Sequence, residues 1–259
     1  MQFSAEIIDH IFSFLVSSRE TLVAWSKDPV LFPIIERYLY YHLVVHIGRP
    51  SHHADCSIEP NRLSEVVSKN PRILNYVRVL QIEIEISSRW EDVAREQLDQ
   101  FVKTLCKFPV LECIILDTSA RREWYWSGVF RAALESRLSL PTVTEVHLVG
   151  PSEFPSSLLD NRNIKNLSFL ARTLVNDGHN FNKLPELQTL TLSIDFMSFE
   201  LLSWIKLHIS DLKSLKYTAT SGLWPLSEML GVCSQTLEKL DINLVDTKCK
   251  GYFSFGIRY

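Results

Sequence analysis

The chain has 259 residues, 46% hydrophobic and 22% charged, and is long enough to bury a full core. A formal net charge of -3, with no cluster of Lys and Arg, excludes the basic footprint of a nucleic-acid binder or of a protein held on an acidic membrane surface. Glycine, at 8 residues, is too scarce for collagen-like or low-complexity classes.

No basic flank precedes the first apolar stretch, and Glu6, Asp9 and His10 interrupt it, so it reads as neither a signal peptide nor a membrane span. The expected location is intracellular, in the cytoplasm, the nucleus or both. Five cysteines (Cys56, Cys106, Cys113, Cys233 and Cys249), odd in number and widely spread, fit free thiols in a reducing compartment.

Residues 1–47 read as a small all-helical module. Ser4 is a candidate N-cap, and Glu6 suits the positive end of a helix. Ile7, Ile8, Ile11, Phe12 and Leu15 then cover more than half of the helix circumference, a wider band than one core-facing stripe needs. After the Ser17-Ser18 break come Leu22, Val23, Ala24 and Trp25, and Phe32-Pro33 opens a last segment rich in Tyr and Leu. A module this short and apolar cannot bury everything internally, and it requires either the end of the next domain or a partner.

Residues 48–70 read as a polar linker followed by a short helix. That helix starts at Asn61, carries Leu63, Val66 and Val67, and stops before Pro71. His52-His53 with Asp55 and Cys56 lacks a second pair at zinc spacing, so it reads as a solvated loop and no metal is expected.

From residue 71 to 245 an apolar pattern at i, i+3 and i+5 recurs seven times. Its copies are Val77-Leu80-Ile82, Leu111-Ile114-Leu116, Val143-Val146-Leu148, Ile164-Leu167-Phe169, Leu187-Leu190-Leu192, Leu212-Leu215-Tyr217 and Leu237-Leu240-Ile242. The last two residues of each copy alternate with period two and point one way from a short strand. The intervening 21 to 34 residues leave room for a return segment. Leu98, Phe101, Val102 and Leu105 have helical spacing in one of these, Val129, Phe130, Ala133, Leu134 and Leu138 in the next, and Phe199, Leu202 and Ile205 in a later one.

The pattern resembles the leucine-rich repeat, L-x-x-L-x-L-x-x-N/C-x-L. Where that family places its stacking Asn or Cys, this chain has Glu85, Ser119, Pro151, Arg172, Asp195, Thr220 and Val245, so an irregular array of variable length is implied. The expected fold class is α/β. It would be an irregular leucine-rich-repeat solenoid, with parallel strands on a concave face and helices on a convex face. The small all-α module would precede it, and residues 246–259 would form a C-terminal tail. A doubly wound parallel sheet shares the strand–helix alternation but normally carries a Gly-rich strand-to-helix turn, which the sequence lacks.

The N-terminal module resembles the F-box, especially the version ahead of leucine-rich repeats in many fungal proteins. The matching residues are Glu6-Ile7-Ile8, Ile11-Phe12, Phe14-Leu15, Leu22-Val23-Ala24-Trp25-Ser26 and Arg37-Tyr38-Leu39-Tyr40. Phe3-Ser4 stands where that family has Leu-Pro, and Lys27-Asp28-Pro29-Val30-Leu31 replaces its Val-Cys-Arg-x-Trp stretch. The resemblance implies docking on a Skp-type adaptor of an SCF-type (cullin–RING) ubiquitin ligase, with Phe3, Ile7, Ile8, Ile11, Phe12 and Leu15 as the contact set. The repeats would select an unidentified protein target. The alternative is an interaction scaffold outside any ligase, whose N-terminal helices only cap the array.

Residues alternating with the inward pairs form the expected target face: Gln81, Glu83, Cys113, Ile115, Asp117, Glu145, His147, Thr189, Thr191, Lys216, Lys239 and Asp241. Arg121-Arg122-Glu123-Trp124-Tyr125-Trp126 either packs over an edge or supplies binding hot spots. No nucleophile elbow, phosphate loop, H-E-x-x-H or dinucleotide motif occurs, so no catalytic residue and no cofactor is expected.

Overall fold

A computed structural model describes residues 7, 10–12, 18–48, 57–85, 90–118, 128–150, 154–159, 161–170, 174–175, 186–194, 199–219, 224–246 and 251–258. Ile7 and residues 10–12 are helical, followed by α1 (Arg19–Trp25) and α2 (Phe32–Leu39). Between these two helices the Asp28 carboxylate accepts hydrogen bonds from the Val30 and Leu31 amides. Such a side chain offers the backbone a turn in place of more helix. Pro33 stands in the first turn of α2, where no N–H is needed. Phe12, Leu22 and Ile35 are buried together as a core of their own, separate from the main one, and Trp25 meets Phe12 edge-on at 5.5 Å.

The rest of the chain builds one large sheet. Its strands are β1 (His42–Gly48), β2 (Val79–Glu85), β3 (Cys113–Thr118), β4 (Glu145–Val149), β6 (Asn166–Leu170), β8 (Thr189–Ile194), β9 (Ser214–Ala219), β10 (Lys239–Asp246) and β11 (Gly251–Arg258), in that spatial order. Eight strands run parallel, and β11 returns antiparallel to β10. The short strands β5 (Phe154–Pro155) and β7 (Leu174–Val175) pair apart from this sheet. The helices are α3 (Pro60–Lys69), α4 (Glu91–Leu105), α5 (Gly128–Leu138), α6 (Phe199–His208) and α7 (Trp224–Cys233).

Period-two alternation splits the sheet into two faces. Leu80, Ile82 and Ile84 are buried, while Val79, Gln81, Glu83 and Glu85 between them are half-buried. The inward residues join Leu98, Phe101 and Leu105 of α4 and Phe130, Leu134 and Leu138 of α5 in one continuous core. The register is set at the strand entries. The Arg78 carbonyl accepts from the Glu112 and Cys113 amides, that of Glu112 from Thr144 and Glu145, and that of Thr144 from Lys165 and Asn166. Paired acceptance of this kind leaves few backbone groups orphaned where the chain turns into a strand. Gly150, just past β4, has φ +76°, and a Cβ there would collide with the Thr118 carbonyl oxygen. Only glycine fits.

The fold is α/β, but the expected leucine-rich-repeat solenoid is corrected. One sheet takes in β1, ahead of the repeating region, and β11 from the segment expected as a tail. The helical content is small and uneven. Among the described residues no α-helix lies between β4 and β6 or between β6 and β8, where only a 3₁₀ turn (Ser156–Leu159) and two-residue strands occur. A stacked strand–helix unit does not generate that order. The physical reason is that the i, i+3, i+5 pattern specifies a turn and two inward strand residues, and is silent on how the chain returns. Among the described residues, no helix is long and apolar enough to cross a membrane.

Candidate functional site

The described residues leave the second face of the sheet uncovered, and its side chains fall into rows because the strands pair in register. One row carries His42, Val79, Cys113 and Glu145; the next carries Val44, Gln81, Ile115 and His147; the third carries His46, Glu83, Asp117 and Val149. Over the first four strands the polar members bond to one another. His42 Nε2 lies 3.1 Å from Gln81 Oε1, and Gln81 Nε2 donates to Glu83 Oε1 at 2.8 Å. His46 Nδ1 lies 3.5 Å from Glu83 Oε2. His147 Nε2 donates to Glu145 Oε1 at 2.7 Å, and the Cys113 thiol lies beside that pair.

The electrostatics follow from burial. Desolvation, with a further push from the Glu145 carboxylate, raises the Cys113 thiol to about 12. Burial and then the charge of Glu83 hold Asp117 above the usual carboxylate range. Tyr41, at the entry of β1, is raised by burial first and by Glu112 next. A thiol held protonated is a poor nucleophile.

The expected target-face residues all lie on this face, spread from β2 to β10. Gln81, Glu83, Ile115, Asp117, Glu145, His147, Thr189, Thr191 and Asp241 are half-buried, Lys216 and Lys239 are exposed, and Cys113 is buried among its neighbours. With neighbouring strands about 4.8 Å apart, the six intervals from β2 to β10 span roughly 29 Å. That is too far for a small ligand to bridge.

Of the expected adaptor-contact residues, Ile7 and Ile11 are exposed, at 49% and 41%. Phe12 is not a surface contact. At 1% exposure it fills the module's core, because α1 and α2 close over that side of the first helix. Phe3, Ile8 and Leu15 lie outside the described residues, as do His52, His53 and residues 121–126. The sequence reading leaves His42 and His46 out of the sheet face, and it names Val23, Trp25, Val30 and Phe32, all exposed, without giving them a contact role. His42 and His46 escape it because β1 falls in the stretch read as a helical module, although Tyr40, Leu43 and Val45 stand at the i, i+3 and i+5 positions and pack into the main core.

On the helical side, an open groove of about 700 Å³ between α3 and α4 is lined by Ser64, Glu65, Ser68, Lys69, Lys103, Thr104 and Lys107. In comparisons with known proteins, no family model matches the chain and no curated protein is similar enough to match.

Proposed function

We propose that this protein is a non-catalytic recognition subunit. Its N-terminal helices dock an adaptor of the Skp type, as the F-box resemblance implies, and its open sheet face receives a protein target for an SCF-type (cullin–RING) ubiquitin ligase. On this reading it works in the cytoplasm or nucleus, and the transfer chemistry belongs to other ligase components. The observation that carries the proposal is apolar surface left unspent on the module. Phe12, Leu22 and Ile35 fill its core, yet Ile7, Ile11, Val23, Trp25, Val30 and Phe32 remain exposed, Val30 at 78%. Six large apolar residues exposed on one small module support an interaction site there.

A second reading has one observation in its favour. The Asn70 side-chain amide at the end of α3 donates to the Glu36 carboxylate of α2, which ties the module to the sheet domain as a cap would be tied. Capping and docking use different faces and are compatible.

The test is binding of the purified chain to a purified Skp-type adaptor, with Ile11→Glu as the variant. Ile11 is exposed, so the charge leaves the fold intact. Forcing it against an apolar partner costs several kcal/mol, enough to abolish micromolar binding. Binding lost on substitution supports the docking surface. A wild-type chain that binds no such adaptor, or a variant that binds equally well, removes it.

A further inference from the structure

We propose that Cys113, Glu145 and His147 together hold a transition-metal ion of the zinc class on the open face of the sheet. One sulfur of Cys113, one carboxylate oxygen of Glu145 and one ring nitrogen of His147 lie within 4.8 Å of one another. A zinc ion bonds sulfur at about 2.3 Å and nitrogen or oxygen at about 2.0–2.2 Å, which sets neighbouring donors about 3.3–3.7 Å apart. Binding an ion therefore requires the donors to close by up to about 1–1.5 Å.

The backbone is well placed to hold still. Cys113 and Glu145 are direct partners across the β3–β4 ladder, and His147 follows Glu145 by two residues on the same side of its strand. Ligands carried on adjacent strands are more closely positioned than ligands carried on loops. The donor chemistry selects the ion. Thiolate and imidazole favour zinc and its neighbours over magnesium or calcium, whose sites are built from oxygen. Charge also closes: a thiolate and a carboxylate balance a divalent ion, with the imidazole neutral.

Protons balance as well. On binding, the Cys113 S–H bond breaks and its proton goes to solvent. The imidazole proton moves from Nε2 to Nδ1, so that Nε2 gives up its bond to Glu145 and offers its lone pair to the ion. One proton therefore leaves per ion bound. Three protein donors leave a fourth position for water on the solvent side.

The experiment is a titration of the purified full chain with Co²⁺, whose thiolate complexes absorb in the near ultraviolet by sulfur-to-metal charge transfer. The expected result is a charge-transfer band that saturates at one equivalent, is displaced by Zn²⁺ and is lost in Cys113→Ser. In His147→Ala the affinity falls at least about tenfold. Cys106→Ser and Cys233→Ser keep the band, since neither thiol belongs to the cluster. Calorimetry in buffers of different ionisation enthalpy reads the released proton. If Cys113→Ser fails to fold by circular dichroism, Glu145→Gln and His147→Gln replace it, because both residues are half-buried on the open face and neither supports the core. Absence of the band, a band that survives Cys113→Ser, or a Co²⁺ affinity unchanged in both Glu145→Gln and His147→Gln overturns the proposal.

Discussion

Phe12→Ala tests whether the N-terminal helices and the sheet have separate cores. Phe12 is buried with Leu22 and Ile35, edge-on to Trp25 at 5.5 Å and tilted against Tyr38 at 6.2 Å. Removing a buried phenyl ring costs about 3–5 kcal/mol, and loss of the ring pairs places this case toward the upper end. So small a core has no such reserve, since whole domains hold only about 5–15 kcal/mol. The sheet's core shares none of those three residues. Hydrogen exchange read by mass spectrometry should therefore show α1 and α2 losing protection while β2, β3 and β4 keep theirs. Equal loss of protection in the strands would refute the two-core reasoning, and unchanged protection in α1 and α2 would refute the role given to Phe12.

Further expectations follow from the sheet. Gly150→Ala should destabilise the fold by about 1–2 kcal/mol or more, read as a lower urea midpoint, because the added methyl meets the Thr118 carbonyl at a φ that L residues avoid. Asp117→Asn should stabilise the protein near neutral pH and have little effect near about pH 3. The folded-state pKa of Asp117 is raised, so its carboxyl favours folding only while protonated, and that contribution is lost as pH rises through the folded value. Denaturant curves at the two pH values decide it, and stabilisation confined to acid would reverse the sign. Ile115→Lys should leave the circular dichroism spectrum and melting transition nearly unchanged, whereas Ile114→Lys should unfold the chain, since Ile114 faces the core and Ile115 the open face.

The strand entries are legible in the sequence because period two is a strong local signal. Six of the seven pairs the pattern points inward, from Leu80 and Ile82 to Leu215 and Tyr217, are buried, and in the seventh Leu240 is buried and Ile242 half-buried. What happens between strands is not legible, because the pattern carries no information on the return path; it suggests an array where a single sheet with uneven helices stands. β1 and β11 escape for related reasons. His42–Gly48 lies in the stretch read as a helical module, although Tyr40, Leu43 and Val45 carry the pattern there, and Gly251–Arg258 lies beyond the last copy of the pattern and gains its place by pairing antiparallel with β10. The Cys113–Glu145–His147 cluster is half legible. Cys113 precedes Ile114 as Glu145 precedes Val146, so unit alignment places them level, but only the strand order brings them together. The burial of Phe12 cannot be read from its own helix, whose apolar band is wider than one face; α1 and α2 decide which part of the band turns inward.

Parallel sheets are normally covered on both faces, and among the described residues this one is covered on one. Such a face must satisfy water, which explains Gln81, Glu83, Thr189, Thr191, Ser193 and Thr218 at half-buried positions. The exceptions are informative. Val44, Val79, Ile115, Val149 and Leu170 lie on β1 to β6 of the open face, among Glu83, Asp117 and Glu145, while Lys216 and Lys239 occupy the far strands. On the proposed reading, a target laid across the strands buries the apolar residues at one end and meets opposite charge signs along its length. Its surface would then be basic where it covers β2 to β4, while on β9 and β10 the Asp241 carboxylate stands level with Lys216 and offsets its charge. Half-exposed charges of this kind act mainly on encounter, so added salt should slow association with such a target far more than it speeds dissociation.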